Sequence, residues 1–390
     1  MKTRGVPDFV LLILTALLVG FGVTMVLSAS SIYAYTGIFT SHGCGICNGD
    51  ELYFVKRQII WAAVGFVGML VAMNIPFSFY KRNVLLIIIV CFVALVLVLV
   101  AGIGKEANGA RSWFKIGSAN IQPAEFAKLG LILYLAAIID KKGEKFREFK
   151  TGLIPPLVVT GIFFVLIAIQ PDLGSAAILL GTAAVVMICG GARITQLFLL
   201  TFPVFTMFFL SYITLKPHAL PRLISYTDPW SDPKNTGFQL IQSFFALAHG
   251  GISGVGFGQS VQKYLYLPEA HTDFIFSIIA EELGFIGTTV FLLVYLLFLL
   301  RGLQICLRSK DTFASLAGVG VITMIGLQAL INIGGVTGTI PLTGVPLPFI
   351  SYGGSSLLIC LVSTGILLSV SREVNKQKML EKGYQQTVAR

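Results

Sequence analysis

Charged residues are scarce. Asp, Glu, Lys and Arg make up 12% of the 390 residues, against roughly a quarter in a soluble domain. So few charges could not coat a water-facing surface, which excludes a soluble enzyme and a disordered tail. Only six cysteines are present, which excludes a disulfide-stapled secreted module. Basic and aromatic residues do not interleave as they do on a nucleic-acid surface, so no nucleic-acid partner is expected. No GxxxxGK[ST] or HExxH motif occurs, and GVGFG at 254–258 lacks the strand–helix unit of a dinucleotide site. No internal repeat is visible, which disfavours a transporter built from inverted halves. What the chain has is apolar bulk: 55% hydrophobic residues and a mean hydropathy of +0.85.

A bilayer core needs about 20 apolar residues per helix. The qualifying runs are 9–29, 58–75, 84–103, 122–139, 152–169, 174–191, 194–214, 274–300, 313–335 and 350–370. The expected fold is therefore all-α: a single membrane domain over 1–390 with about ten transmembrane helices. The first run follows Lys2 and Arg4 and is too long for a typical signal-peptide core, so it is read as a retained helix. Counting Lys and Arg on alternate sides gives 18 on one side and 9 on the other, with Lys128 inside a span. The positive-inside rule then puts both termini in the cytoplasm, with 371–390 as a cytoplasmic tail and 141–150 as a cytoplasmic loop. Outside lie a large loop between helices 7 and 8, about 215–273, and all four histidines, His42, His218, His249 and His271. Polar chemistry concentrated on one face points to work at the outer leaflet.

Asp273 stands where the eighth span begins and could simply cap it. Glu281 and Glu282 lie roughly 12–13 Å deeper by helical rise, where carboxylates are costly and usually paired, protonated or functional. The three acids would line a polar track descending from the outer surface. Glu125 and Lys128 are one turn apart and could pair locally; Lys128 could instead meet Glu282 or an anionic ligand. Arg111 and Lys115 flank Trp113 at headgroup level and would suit a phosphate. Gln239, Gln242 and Ser243 share one face of an amphipathic or re-entrant helix at 236–251. The proline- and glycine-rich segment 334–356, which carries Ser351, suits non-helical backbone lining a cavity. Cys44 and Cys47 in CGIC are open to three readings: a disulfide, free thiols, or a metal site with His42 and Asp50. The other four cysteines read as packing residues.

Several motifs then occur in order: GARSWF, IQPAEFAK, QPDLGSA, QLIQS, YLPEAHTDFIFSIIAEELG and PLPFISYGGSS. On these the chain resembles the SEDS family (shape, elongation, division and sporulation; FtsW, RodA and SpoVE) over essentially its whole length. KYLYLPEAHTDF, with GQSVQ before it, is closer to the FtsW and SpoVE pattern than to that of RodA; CGIC is outside the family pattern. The resemblance implies a multi-pass protein of the bacterial cytoplasmic membrane that polymerises lipid II into glycan strands for division or sporulation septum synthesis. It also implies a class B penicillin-binding transpeptidase and other divisome or sporulation membrane proteins as partners, and a divalent cation (Mg²⁺ or Mn²⁺). Asp273 is the catalytic residue implied. Arg111, Lys115, Lys128, His271, Glu281, Glu282, Gln239, Gln242 and Ser351 are the candidate substrate-binding residues, and Asp273 or Glu282 the candidate metal ligand. The competing functions are a lipid II flippase and a non-catalytic scaffold.

Overall fold

The computed structural model describes residues 5–36, 44, 47, 49–100, 104–107, 110–117, 119–215 and 226–388. Its helices are α1 (Phe9–Thr36), α2 (Tyr53–Asn74), α3 (Phe77–Arg82), α4 (Val84–Leu99), α5 (Pro123–Lys142), α6 (Ile154–Ile169), α7 (Leu173–Cys189), α8 (Ile194–Leu215), α9 (Phe238–Gly250), α10 (Ile275–Leu307), α11 (Thr312–Val336) and α12 (Gly354–Val388). All but α3 and α9 coincide with the ten expected spans. Six of the spans are long and apolar enough to cross a bilayer on those grounds alone, and α4, α7 and part of α8 are shorter apolar helices. The remaining one, α5, carries Glu125 and Lys128 in its first turns.

Local chemistry starts and stops these helices. Pro123 opens α5, where its missing N–H costs nothing; Glu125 lies in its first turn and Lys141 and Lys142 in its last, complementing the dipole. Asp172 caps α7 by accepting from the Ser175 N–H at 3.0 Å, and Asp311 caps α11 through Ala314 at 2.8 Å. In the interior α5 is buried on nearly every face, while α2, α4 and the later turns of α10 expose Val64, Val67, Leu86, Val90, Val290 and Leu293 outward. Without a hydrophobic force between helices in lipid, close packing depends on small residues. Gly365 of α12 shows this, since a Cβ there would stand 2.4 Å from the Met69 carbonyl of α2.

Contacts at one end agree with the charge-bias assignment. Arg301 reaches Asp8 at 2.7 Å, Arg372 bonds the Gly5 carbonyl and Asn74, Lys81 meets Asp140, and Lys310 meets Glu381. The segments placed in the cytoplasm thus converge on one face.

Two features depart from the expected run of helices. After α4 comes a small antiparallel sheet of β1 (Gly104–Ala107), β2 (Ala110–Ile116) and β3 (Ala119–Ile121), pairing Glu106 with Arg111 and Lys115 with Asn120. The sequence Asn108-Gly109 between β1 and β2 is a hairpin signal masked by the apolar run before it. The expected span over 274–300 is also not one helix, because α10 breaks at Gly284 (φ +65°, ψ −170°). The broken turn is repaired by segment 251–256: Val255 and Gly256 donate to the Glu281 and Glu282 carbonyls, and Phe285 and Ile286 donate to Gly251 and Ile252. Non-helical backbone at membrane depth persists only when its polar groups are satisfied in this way.

Candidate active site

At the outer end a cavity of about 710 Å³ opens among β2, the starts of α5, α7 and α12, helix α9, residues 268–274, the end of α11 and loop 342–346. Its ionisable lining is one-sided. Glu125, Asp172, Glu269 and Asp273 contribute carboxylates, and no Lys, Arg or His lines it among the described residues.

Asp273 is held by its backbone. Its carbonyl accepts from Asn332 Nδ2 at 2.7 Å, and the same amide reaches the Val345 carbonyl at 2.7 Å. One residue earlier, the Thr272 carbonyl accepts from Ser351 Oγ at 2.6 Å, while that oxygen accepts from the Leu347 N–H at 2.8 Å. The Tyr352 N–H donates to the His271 carbonyl at 2.9 Å. Residues 271–273 are therefore fastened along the last outer loop. The Asp273 carboxylate, by contrast, has no hydrogen-bond or ion-pair partner among the described residues. Burial, then the negative charges of Glu269 and Asp172, push its pKa up to about 7. Glu269 accepts from Thr272 Oγ1 at 2.9 Å, and Asp172 accepts from Gln122 Nε2 at 2.7 Å.

The other expected site residues scatter. Gln239 lines the cavity, whereas Gln242 is half-buried outside it. Ser351 is buried and holds backbone. His271 faces an aromatic cluster instead, its ring 4.4 Å from that of Phe54 and 5.4 Å from that of Tyr33. Burial pushes its pKa down to about 4, so it is neutral at pH 7. Lys128 is 2.7 Å from Glu125 and 3.1 Å from Gln328 Oε1, with its side chain 1% exposed. That corrects the idea that it meets Glu282: local pairing satisfies the ammonium one turn away, directly beneath the cavity. Gln328 in turn donates to Ser356 and the Pro346 carbonyl.

The expected track from Asp273 to Glu281 and Glu282 is also corrected. Neither glutamate lines the cavity. Glu281 accepts from Val261 N–H at 2.9 Å, from Ser260 Oγ, and bonds His249 Nδ1 at 2.9 Å. Glu282 accepts from Ser28 at 2.6 Å and pairs with Lys263 at 3.2 Å. Both acids turn toward segment 249–263 and pin it. Lys115 is exposed on β2, the strand that carries cavity-lining Ser112 and Trp113; Arg111 is on the same strand, its side chain outside the described residues. Cys44 and Cys47 form a disulfide, which decides among the three readings, and Asp50 is engaged by Lys56 at 2.7 Å. His42 and His218 lie outside the described residues.

Four contributors were missed in the sequence. Nothing in their local sequence singled out Asp172, Glu269 or Lys263. Asn332 had a usable signal: with Gln328 it puts two amides four residues apart within an apolar span, where polar groups are rarely idle.

The family described as Cell cycle protein, comprising FtsW, RodA and SpoVE, matches residues 9–376. The chain belongs to that family. It is 43% identical to stage V sporulation protein E of Bacillus subtilis over 94% of this chain and 97% of that one. To the probable peptidoglycan glycosyltransferase FtsW of Geobacter metallireducens it is 42% identical over 93% and 94%. Among solved structures it is similar to a chain from a peptidoglycan synthase complex that coordinates polymerization and crosslinking (TM-score 0.73, 30% identity, 94% and 98% covered). The rod-shape-determining protein RodA of Thermus thermophilus is also similar (TM-score 0.66, 28% identity, 94% and 97% covered). Family membership and the apolar helices make this a multi-pass protein of the cytoplasmic membrane.

Proposed function

We propose that this protein is a peptidoglycan glycosyltransferase that polymerises lipid II into glycan strands at the outer face of the bacterial cytoplasmic membrane. One observation carries the reading: a carboxylate without a partner, pushed up to about 7, in a cavity at the outer end. The 4-hydroxyl of an acceptor sugar is a poor nucleophile. A base whose pKa lies near the working pH removes its proton most effectively during attack, and Asp273 meets that requirement. Asn332 and Ser351 position it by holding the backbone on either side. Converting an α-linked donor to a β-linked strand takes one displacement and hence one base. The relatives named as peptidoglycan glycosyltransferases, and the similar complex that couples polymerization to crosslinking, support the assignment.

The donor leaves as a lipid pyrophosphate, and its developing negative charge cannot be balanced by a lining that is itself acidic. A divalent cation would fit this deficit, with Asp273 the carboxylate here that would hold it; when bound it would supply neutralisation of the phosphates. Among the described residues no three His, Cys, Asp or Glu form a ready-made cage, so the rest of its ligand set would have to come from the substrate. Glu282 does not fit, being already paired with Lys263. Arg111 and Lys115, on the strand that carries cavity-lining Ser112 and Trp113, remain the proposed basic groups for the pyrophosphate. A class B penicillin-binding transpeptidase is the proposed crosslinking partner, within a division or sporulation assembly. The flippase reading is disfavoured because Lys128, Glu125 and Gln328 close on one another beside the cavity, and the α5 side chains buried after them, through Ala137, are all apolar.

The test supplies purified protein and its transpeptidase partner with lipid II and Mg²⁺, beside an Asp273→Asn variant. Strands from the wild type and at least a thousandfold fewer from an equally folded variant are expected. Wild-type-level synthesis by the variant, or lipid II transfer across vesicles without strands, would overturn the assignment.

A further inference from the structure

The opposite face carries a second cavity, of about 390 Å³, that the proposed reaction does not use. It lies at the cytoplasmic end of α2, beside the stretch of α12 from Ser369 to Lys376, and is lined by Met73, Asn74, Ile75, Phe77, Arg372 and Lys376, among others. The proximal N-terminal segment closes one side: a Cβ on Gly5 would stand 2.0 Å from the Arg372 carbonyl.

Two cations reach this cavity with capacity to spare. Arg372 donates through Nε to Gly5 and through Nη1 to Asn74, which fixes the guanidinium plane and leaves Nη2 without a partner among the described residues. Lys376 is 3.6 Å from Glu373, too far for a hydrogen bond, so its ammonium makes none there. One acid against two bases leaves the lining net positive. The apolar remainder continues along α2, where Leu70, Val71, Val67, Val64 and Ile60 form an exposed stripe running up from the cavity into the bilayer span. Their spacing of three and four residues keeps them on one helix face.

We propose that this cavity binds the phosphate group of an anionic phospholipid of the inner leaflet, its acyl chain lying along the α2 stripe. A fixed guanidinium and an ammonium paired only loosely with Glu373 suit a phosphodiester, and basic pockets between helices at the cytoplasmic boundary are suited to such headgroups. A zwitterionic lipid brings its own cation and gains little from either group. Because the site rests on the ends of α2 and α12 and on the N-terminal segment, its occupancy ties these three elements together.

Native mass spectrometry of the full chain in detergent, titrated with phosphatidylglycerol or phosphatidylcholine, tests the assignment. Phosphatidylglycerol is expected to bind at least tenfold more tightly than phosphatidylcholine. Lys376→Gln should weaken phosphatidylglycerol about fivefold and Lys376→Glu about thirtyfold, one and two elementary charges at the membrane surface. Lys378→Gln, an exposed neighbour two residues on, should change binding less than twofold and controls for general surface charge. Equal binding of the two lipids, or equal effects of Lys376→Gln and Lys378→Gln, would refute the site. Displacement of phosphatidylglycerol by millimolar inorganic phosphate would show that free phosphate is the ligand and overturn the lipid assignment.

Discussion

Glu269→Gln makes the sharpest test of how the outer cavity sets its base. Burial contributes most to holding the Asp273 carboxyl near 7, and the Glu269 and Asp172 charges add to it. The neutral amide keeps an oxygen to accept from Thr272 Oγ1, so the turn survives while one negative charge disappears. Removing a like charge favours the ionised form, and the Asp273 pKa must fall. An interaction of about 1 kcal/mol across a partly hydrated cavity corresponds to roughly 0.7 of a pH unit. With the cation removed by chelator, the Asp273 carboxyl should therefore titrate through about 7 in the wild type and through about 6.3 in the variant. The carboxyl infrared band that is lost in Asp273→Asn, followed between pH 5 and 9 in chelator, would read this directly. A titration near 4 in the wild type, or one that stays put or moves upward in Glu269→Gln, would refute the cavity's role in tuning Asp273.

Asp273→Asn should stabilise the fold as it abolishes activity. A carboxyl that ionises near 7 in the folded protein and near 3.8 otherwise binds its proton more tightly when folded, so stability falls as pH rises between those values. The penalty is at most about 4 kcal/mol, reduced by water entering the open cavity; thermal unfolding in chelator should favour the variant at pH 8 and not at pH 4. Gly284→Ala would place a methyl group 2.1 Å from the Gly254 nitrogen at a positive φ, and a loss of roughly 3 kcal/mol or more is expected in detergent unfolding. Lys263→Met leaves Glu282 buried without its cation, which costs about 3–5 kcal/mol; adding Glu282→Gln should restore much of it, and a double variant no more stable than the single would argue against the pairing. Arg111→Ala should insert normally yet lose polymerisation, which strand assays in membranes would show.

Ten spans, the shared face of the Lys- and Arg-rich segments and the place of Asp273 at the head of α10 were all legible in the chain, because hydropathy and the Lys/Arg bias are sums over neighbouring residues. The buried charges were not. Lys128 could have faced Glu125 or Glu282 by spacing alone, and only the packing of α5 against α11, which brings Gln328 to the ammonium, chose the first. Glu281 and Glu282 continue the helix that begins after Asp273 yet belong to a different cluster, since the break at Gly284 admits segment 251–263 and supplies their donors from a distant stretch of sequence. Asp172 and Glu269 join Asp273 only because the starts of α7 and α10 converge at one end of the bundle. Sequence determined which groups would sit at the membrane's outer boundary. The tertiary structure decided which of them share a cavity, since pairing depends on the faces that helices turn toward one another, and those faces are set by contacts hundreds of residues apart.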